Sequence, residues 1–203
     1  MRDLIPEAPY TFADFFKMTA EVDAIVGHFG FSYEGKLCEL PTHKVDETSV
    51  RDLRTRIEES LPFLSLSNET ARREFLISPI LLETVRHTKA KLRAEVPVEV
   101  DDQLKGTLDY FLEAQHRVLV IEAKNADLYR GFAQLAVELI ALDRWLNSDE
   151  SSDRLYGIVS TGDAWRFGFL DRTARRITQD LRLYSVPDDL EQLVSILVAL
   201  LKD

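Results

Sequence analysis

Residues 117–124 read Arg117-Val118-Leu119-Val120-Ile121-Glu122-Ala123-Lys124. Five of these side chains are apolar, four in an unbroken run from Val118 to Ile121 and the fifth at Ala123 beyond Glu122. Such a run is the pattern of a strand buried on both faces. Side chains alternate along a strand, so Glu122 and Lys124 project from one face at its polar end. Just upstream, Gly106 to Leu112 reads as another strand with Asp109 inside it, and an acid there is disfavoured without a partner. The gap Glu113 to His116 is short enough for a hairpin turn, which would bring Asp109 close to Glu122. Two carboxylates and an ammonium at the end of paired strands suit phosphodiester hydrolysis. The carboxylates would hold Mg²⁺, a hard ion that takes oxygen ligands, and Lys124 would orient the attacking water or stabilise developing charge. Glu-x-Lys alone arises readily by chance in a chain this charged, and most such pairs are solvated surface; the combination with Asp109 carries the weight.

Outward from this centre, Leu128 to Leu146 is the strongest helix pattern, with Leu128, Phe132, Leu135, Leu139, Leu142 and Leu146 on one face. Leu155 to Ser160, Trp165 to Leu170 and Ile177 to Tyr184 read as strands, separated by Thr161-Gly162-Asp163 and a polar turn at Asp171 to Ala174. Pro187 opens a C-terminal helix to Leu201. On the amino side, Val96 to Val100 is a short strand. Asn68 to Thr88 is a helix capped by Asn68, with Pro79 predicting a kink and Glu74 falling on the apolar stripe of Ile77 and Leu81. Ser49 to Ser65 is a further helix, residues 31–41 resemble a short hairpin around Gly35, and residues 11–29 form one amphipathic helix. The order implies an α/β or α+β sheet covered on both faces.

The chain has 203 residues, 45% apolar and 30% charged, enough to fill one core without staples. Cys38 is the lone cysteine, so no internal disulfide forms and a reducing, cytoplasmic compartment is expected. The first ten residues carry acids and prolines where a signal peptide needs a basic start and an apolar run. Leu193 to Leu201 is about half of the roughly 20 residues needed to span a bilayer, so no membrane role is expected.

The net charge of -10 speaks against nucleic acid when taken whole, yet it is unevenly spread. Arg72, Arg73, Arg86, Lys89, Lys91 and Arg93 face only Glu74 and Glu83 within residues 72–93, and Arg166 to Arg182 form a second basic island. A solvated helix face and an exposed strand edge account for charge alone equally well. His28, His43, His87 and His116 show no metal-ligand spacing, no glycine-rich phosphate loop is present, and Cys38 reads as a buried small hydrophobe. Trp145, Trp165, Phe167 and Phe169 could stack on bases, but at strand spacing aromatics are more often core. The apolar terminal helix packs under the sheet or forms a dimer interface.

The series Gly106-Thr107-Leu108-Asp109-Tyr110, Val120-Ile121-Glu122-Ala123-Lys124 and Gln134 in the next helix resembles the PD-(D/E)XK, or restriction-endonuclease-like, nuclease superfamily. Gly157 to Phe167 resembles the strand, turn and strand that follow the motif helix in nuclease domains of type I restriction motor subunits and their stand-alone relatives. The resemblance covers roughly residues 69–184. Leu108 stands where the motif has Pro, and Glu138 stands four residues after Gln134 where one branch has Tyr.

The resemblance implies a restriction-endonuclease-like mixed central sheet flanked by helices. Residues 1–66 would be an extra helical and hairpin segment packed on a nuclease core at 67–203. It implies Asp109 and Glu122 as ligands of Mg²⁺ or Mn²⁺, Lys124 as the catalytic lysine, and Gln134 as support. It also implies a Glu on an early helix, for which Glu74 is the best candidate. The expected substrate is DNA, contacted by Arg72, Arg73, Lys89, Lys91 and Arg166. Cutting a duplex calls for two sites, which a homodimer would supply, and residues 1–66 could receive a protein partner. The alternative is a nuclease-fold module that binds nucleic acid or protein without cutting.

Overall fold

A computed structural model of the chain describes residues 5–6, 8–115, 117–146 and 152–202. Among them the strands are β1 (Ser32–Lys36), β2 (Lys91–Glu99), β3 (Lys105–Ala114), β4 (Arg117–Ala123), β5 (Arg154–Ser160), β6 (Ala164–Asp171), β7 (Arg176–Asp180) and β8 (Tyr184–Ser185). The helices are α1 (Phe12–Lys17), α2 (Val22–His28), α3 (Glu47–Ser60), α4 (Glu69–Arg72), α5 (Ser78–Thr88), α6 (Leu128–Trp145) and α7 (Leu190–Leu201). The strands form one mixed sheet of eight in the order β1-β7-β6-β5-β4-β3-β2, with β8 added to β6. β3 and β4 are an antiparallel pair, and β4 runs parallel to β5 through the crossover helix α6. His116, the last residue of the expected hairpin gap, lies outside the described residues.

Each face of the sheet carries its own apolar core. Val118 and Val120 of β4 pack with α1, α2 and α6, while Leu119, Ile121 and Ala123 pack with α3, α5 and α7. This is the two-sided burial that the run in β4 predicts. Phe132, Leu135, Leu139 and Leu142 of α6 are fully buried, each contributing about 1.5–3 kcal/mol of apolar transfer. The terminal helix α7 is buried along nearly its whole length, so its apolar character reflects packing under the sheet. No described helix is long and apolar enough to cross a membrane.

Several sequence expectations are corrected. Residues 11–29 form two helices, α1 and α2, each with an acid, Asp14 and Asp23, in its own first turn; the second start signal divides the stretch. Residues 31–41 are not a hairpin, since β1 pairs in parallel with β7, some 140 residues away in sequence. That long-range partner makes β1 an edge strand of the main sheet, so residues 1–66 supply part of the sheet as well as parts of both helical layers. β2 begins at Lys91, earlier than the predicted Val96, and the last helix begins at Leu190, after Pro187.

The stretch after Asn68 is helical to Thr88, but it contains a π-helical turn at Arg73–Ile77 just before Pro79. Pro79 has no N–H and its ring crowds the carbonyl four residues back, at Phe75. The wider turn absorbs that conflict, and such turns recur at functional sites. It also rotates the helix face. Leu76, Ile77, Ile80 and Leu81 are buried, whereas Glu74, Phe75 and Leu82 are exposed.

Candidate active site

The site is assembled at the carboxyl end of β4, where the sheet passes from an antiparallel neighbour to a parallel one. Ligands in open α/β sheets gather at such ends. One step beyond the last pair of the β3–β4 ladder, Tyr110 with Ile121, Asp109 comes opposite Glu122. The Asp109 carboxylate accepts a hydrogen bond at 2.8 Å from the backbone N–H of Ala123, the residue between Glu122 and Lys124. Lys124 donates to Glu122 in a close ion pair, with 11% of the lysine side chain and 2% of the glutamate side chain exposed. Gln134, the seventh residue of α6 and nearly two turns in, donates to Glu122 at 2.6 Å and to Glu138 at 2.8 Å. The structure therefore brings Asp109, Glu122, Lys124 and Gln134 together.

Close approach of α6 to the sheet makes this possible. A Cβ on Gly131 would lie 2.5 Å from Val159 and 3.0 Å from the Lys124 stem. Only glycine lets the first turns of α6 lie flat over β4 and β5, which sets Gln134 within reach of Glu122.

Burial controls the charges. It raises Glu122 well above the ordinary carboxylate range, with Glu138 and Asp109 adding to the effect and Lys124 opposing it. Burial likewise pushes Glu138, which is fully enclosed, up to about 7. Two carboxylates this close and this dry hold one proton between them near neutrality. Burial also raises Asp109, against the Ala123 N–H, Arg73 and Lys124, which lower it. Burial alone would lower Lys124, but the surrounding acids, Glu122 foremost with Asp109 and Glu138, together more than reverse this and raise it. Lys124 is therefore an ammonium at neutral pH and acts as a donor, not as a base.

Glu74 does not join the site; it is exposed on the π-helical turn and makes no hydrogen bond or ion pair with a described residue. The acid on that stretch that shares the site's field is the half-buried Glu69, the first residue of α4. Burial raises its carboxyl, with Lys124 and Arg73 opposing and Asp109 and Glu95 reinforcing. The extra residue in the π-helical turn breaks the regular spacing that pointed to Glu74. Nothing in the sequence marks Glu69 except its place just inside the Asn68 cap.

The basic candidates divide. Arg72 is committed internally, donating to the Thr161 carbonyl at 2.8 Å, to Asp163 at 2.9 Å and to Asn125 at 3.3 Å. It ties α4 to the β5–β6 turn. Arg73 pairs with Glu95 at 2.6 Å and Asp109 at 3.5 Å, so it belongs to the site's own electrostatics. Lys89 ends α5 in the left-handed region and donates to the Arg86 carbonyl. Lys91 is exposed. Arg166 is half-buried on β6, on the row that runs from Glu122 through Val159.

Other constellations carry no comparable chemistry. Ser49, His87 and Glu83 cluster, but the serine at 3.4 Å and the glutamate at 3.0 Å meet the same ring nitrogen of His87, so no relay through the imidazole is formed. Cys38 is buried, and burial raises its thiol pKa, which makes it unreactive. Trp165 and Phe167 are core residues, with the Trp165 indole donating to the Gly162 carbonyl.

Among the described residues, no three or more His, Cys, Asp or Glu side chains converge as a ready-made metal cage. The donor set is the pair Asp109 and Glu122. One Glu122 oxygen, Oε2, is buried with no hydrogen-bond partner, and a buried acceptor left this way is costly. Mg²⁺ is commonly held by one or two carboxylates, with waters and substrate phosphate completing its shell. The residues present fit such an ion. No protein-family model, no curated protein and no solved structure matches this chain.

Proposed function

We propose that this chain is a metal-dependent nuclease of restriction-endonuclease-like fold that hydrolyses phosphodiester bonds, with DNA as its substrate. One observation carries the reading: Asp109, Glu122 and Lys124 meet at one end of two adjacent strands, locked together by the Asp109 bond to the Ala123 amide. Asp109 and Glu122 would hold Mg²⁺ or Mn²⁺, which when bound polarises the phosphoryl group and lowers the pKa of a coordinated water. Lys124, charged and pointed at the carboxylates, orients the attacking water and stabilises charge on the phosphoryl oxygen. Gln134 fixes the Glu122 rotamer, and Glu69 adds a third acid at the rim. Arg166, on the row that runs from Glu122 through Val159, offers a cationic contact to phosphates beyond the scissile one.

Lone Cys38 suits a cytoplasmic setting, and duplex cutting would draw on two copies of the chain. Incubation with plasmid and oligonucleotide DNA in Mg²⁺ or Mn²⁺ tests the reading. Cleavage is expected, and it is expected to disappear in both Asp109→Ala and Lys124→Ala. Activity surviving both substitutions would overturn the assignment. Absence of cleavage together with absence of divalent-ion heat in calorimetry would point instead to a non-cutting nuclease-fold module.

A further inference from the structure

The N-terminal segment reaches the site through one aromatic ring. Phe12 and Phe15 of α1 are 1% and 0% exposed and belong to the apolar core beside α6. Phe16 belongs to neither core and is only half-buried. Its ring lies instead under the Lys124 ammonium, 5.0 Å from the ring centre. Resting on the nuclease reading, we infer that Phe16 is a positioning residue for Lys124, so that α1 is a working part of the active site and not a passive cap.

Three surfaces define where the ammonium sits. Glu122 pairs with it, Gly131 leaves room for its stem, and the Phe16 ring closes a further side. A lysine stem is long and rotatable, so an unsupported ammonium would sample many positions and lose catalytic efficiency. The face of a phenyl ring attracts a cation through its quadrupole while offering no oxygen or nitrogen lone pair. Phe16 therefore holds the charge without occupying a donor, leaving N–H groups free for the water and phosphoryl oxygen. It also excludes water from that side, which strengthens the remaining electrostatics. Phe12 and Phe15 anchor α1 so that the ring is presented in a fixed place, and the Phe12 ring would lie 2.6 Å from a Cβ on Gly106 at the start of β3.

The test compares Phe16→Leu, Phe16→Tyr and ring-fluorinated phenylalanines at position 16 in the full chain. Leucine keeps the apolar bulk and removes the quadrupole; tyrosine restores it; fluorination weakens it at nearly constant shape. For Phe16→Leu, kcat for DNA cleavage is expected to fall ~3- to 30-fold with KM changed less than ~2-fold. Phe16→Tyr should recover most of the loss, and kcat should drop stepwise with each added fluorine. Independently of cleavage, the Lys124 ε-methylene protons should show an upfield ring-current shift by NMR, retained in Phe16→Tyr and lost in Phe16→Leu. Cleavage with no such shift, or a shift with Phe16→Leu unimpaired in kcat, overturns the positioning role alone. A protein that shows the shift but cleaves nothing overturns the nuclease reading, and the role falls with it.

Discussion

The Asp109 carboxylate accepts the backbone N–H of Ala123 at 2.8 Å, so the acid of one strand is bonded to the amide between the acid and the lysine of the next. One group thus serves both register and chemistry, and two substitutions separate the roles. Asp109→Asn keeps an acceptor for Ala123, whose residue is fully buried, and should unfold in urea within about 1 kcal/mol of the natural chain. Asp109→Ala orphans that N–H and should cost a further 1–3 kcal/mol, roughly the penalty for an unpaired buried donor. Both should lose DNA cleavage by ~10²-fold or more, because each removes a carboxylate placed to hold the metal.

Acid stabilises this fold across the neutral range. Glu122 and Glu138 have folded pKa values raised by burial, as do Asp109 and Glu69. Raised carboxyls bind protons more tightly in the folded state. Their stabilisation is therefore complete below the ordinary carboxylate range and is lost as pH rises through the folded values, about 7 for Glu138. Lys124, whose pKa is also raised, titrates above this window. Unfolding free energies from urea titrations without divalent metal should fall between pH 5 and 8 by an amount on the order of 2–3 kcal/mol. Glu138→Gln carries no titrating proton there and should flatten part of that slope, leaving the part due to Glu122, Asp109 and Glu69.

Much of this site was legible because its signals are local. The apolar run of β4, the alternation that pairs Glu122 with Lys124, and the short gap back to Asp109 each follow from neighbouring residues. What escaped depends on distant partners or a local irregularity. Gly35 suggested a hairpin, but β1 finds its partner in β7, whose pairing no local pattern encodes. Glu74 looked inward under regular 3.6-residue spacing, and the π-helical turn before Pro79 broke that spacing. Arg73 read as a free cation, and only the fold shows that Glu95 and Asp109 surround it. Phe16 lies in the stretch 11–29 that reads as one amphipathic helix, and its meeting with Lys124 spans more than 100 positions.

Glu69 and Glu74 offer a direct comparison on one helical stretch. Glu69 is close enough to share the field of Lys124 and Asp109, whereas Glu74 is exposed and unpartnered. Glu69→Gln should weaken Mn²⁺ binding in calorimetry and lower cleavage by ~10-fold, in the range found for groups that support metal ligands. Glu74→Gln should leave both within about twofold, since exposed substitutions away from such features change little. The reverse result would return Glu74 to the site and remove Glu69 from it.

Gly131 provides the last test, because it links packing to catalysis. A methyl group there would sit 2.5 Å from Val159, closer than real side-chain contacts allow, and 3.0 Å from the Lys124 stem, tighter than most. Gly131→Ala adds helix propensity, worth up to about 1 kcal/mol in an unconstrained helix, but overpacking costs about 1–3 kcal/mol and should prevail. Relief requires α6 to move off the sheet, which lengthens the Gln134 bond to Glu122, or Lys124 to change rotamer. Either displacement should lower kcat more than stability, since about 1 Å of misplacement can cost ~10²-fold. Val159→Ala opens the space that the new methyl group needs. The double variant Gly131→Ala with Val159→Ala should regain activity relative to Gly131→Ala alone, while paying the core loss of about 0.5–1.5 kcal/mol or more that removing valine methyls entails. Thermal melts and single-turnover cleavage on the three variants would measure both terms, and additive effects on kcat would mean that α6 does not set the position of Lys124.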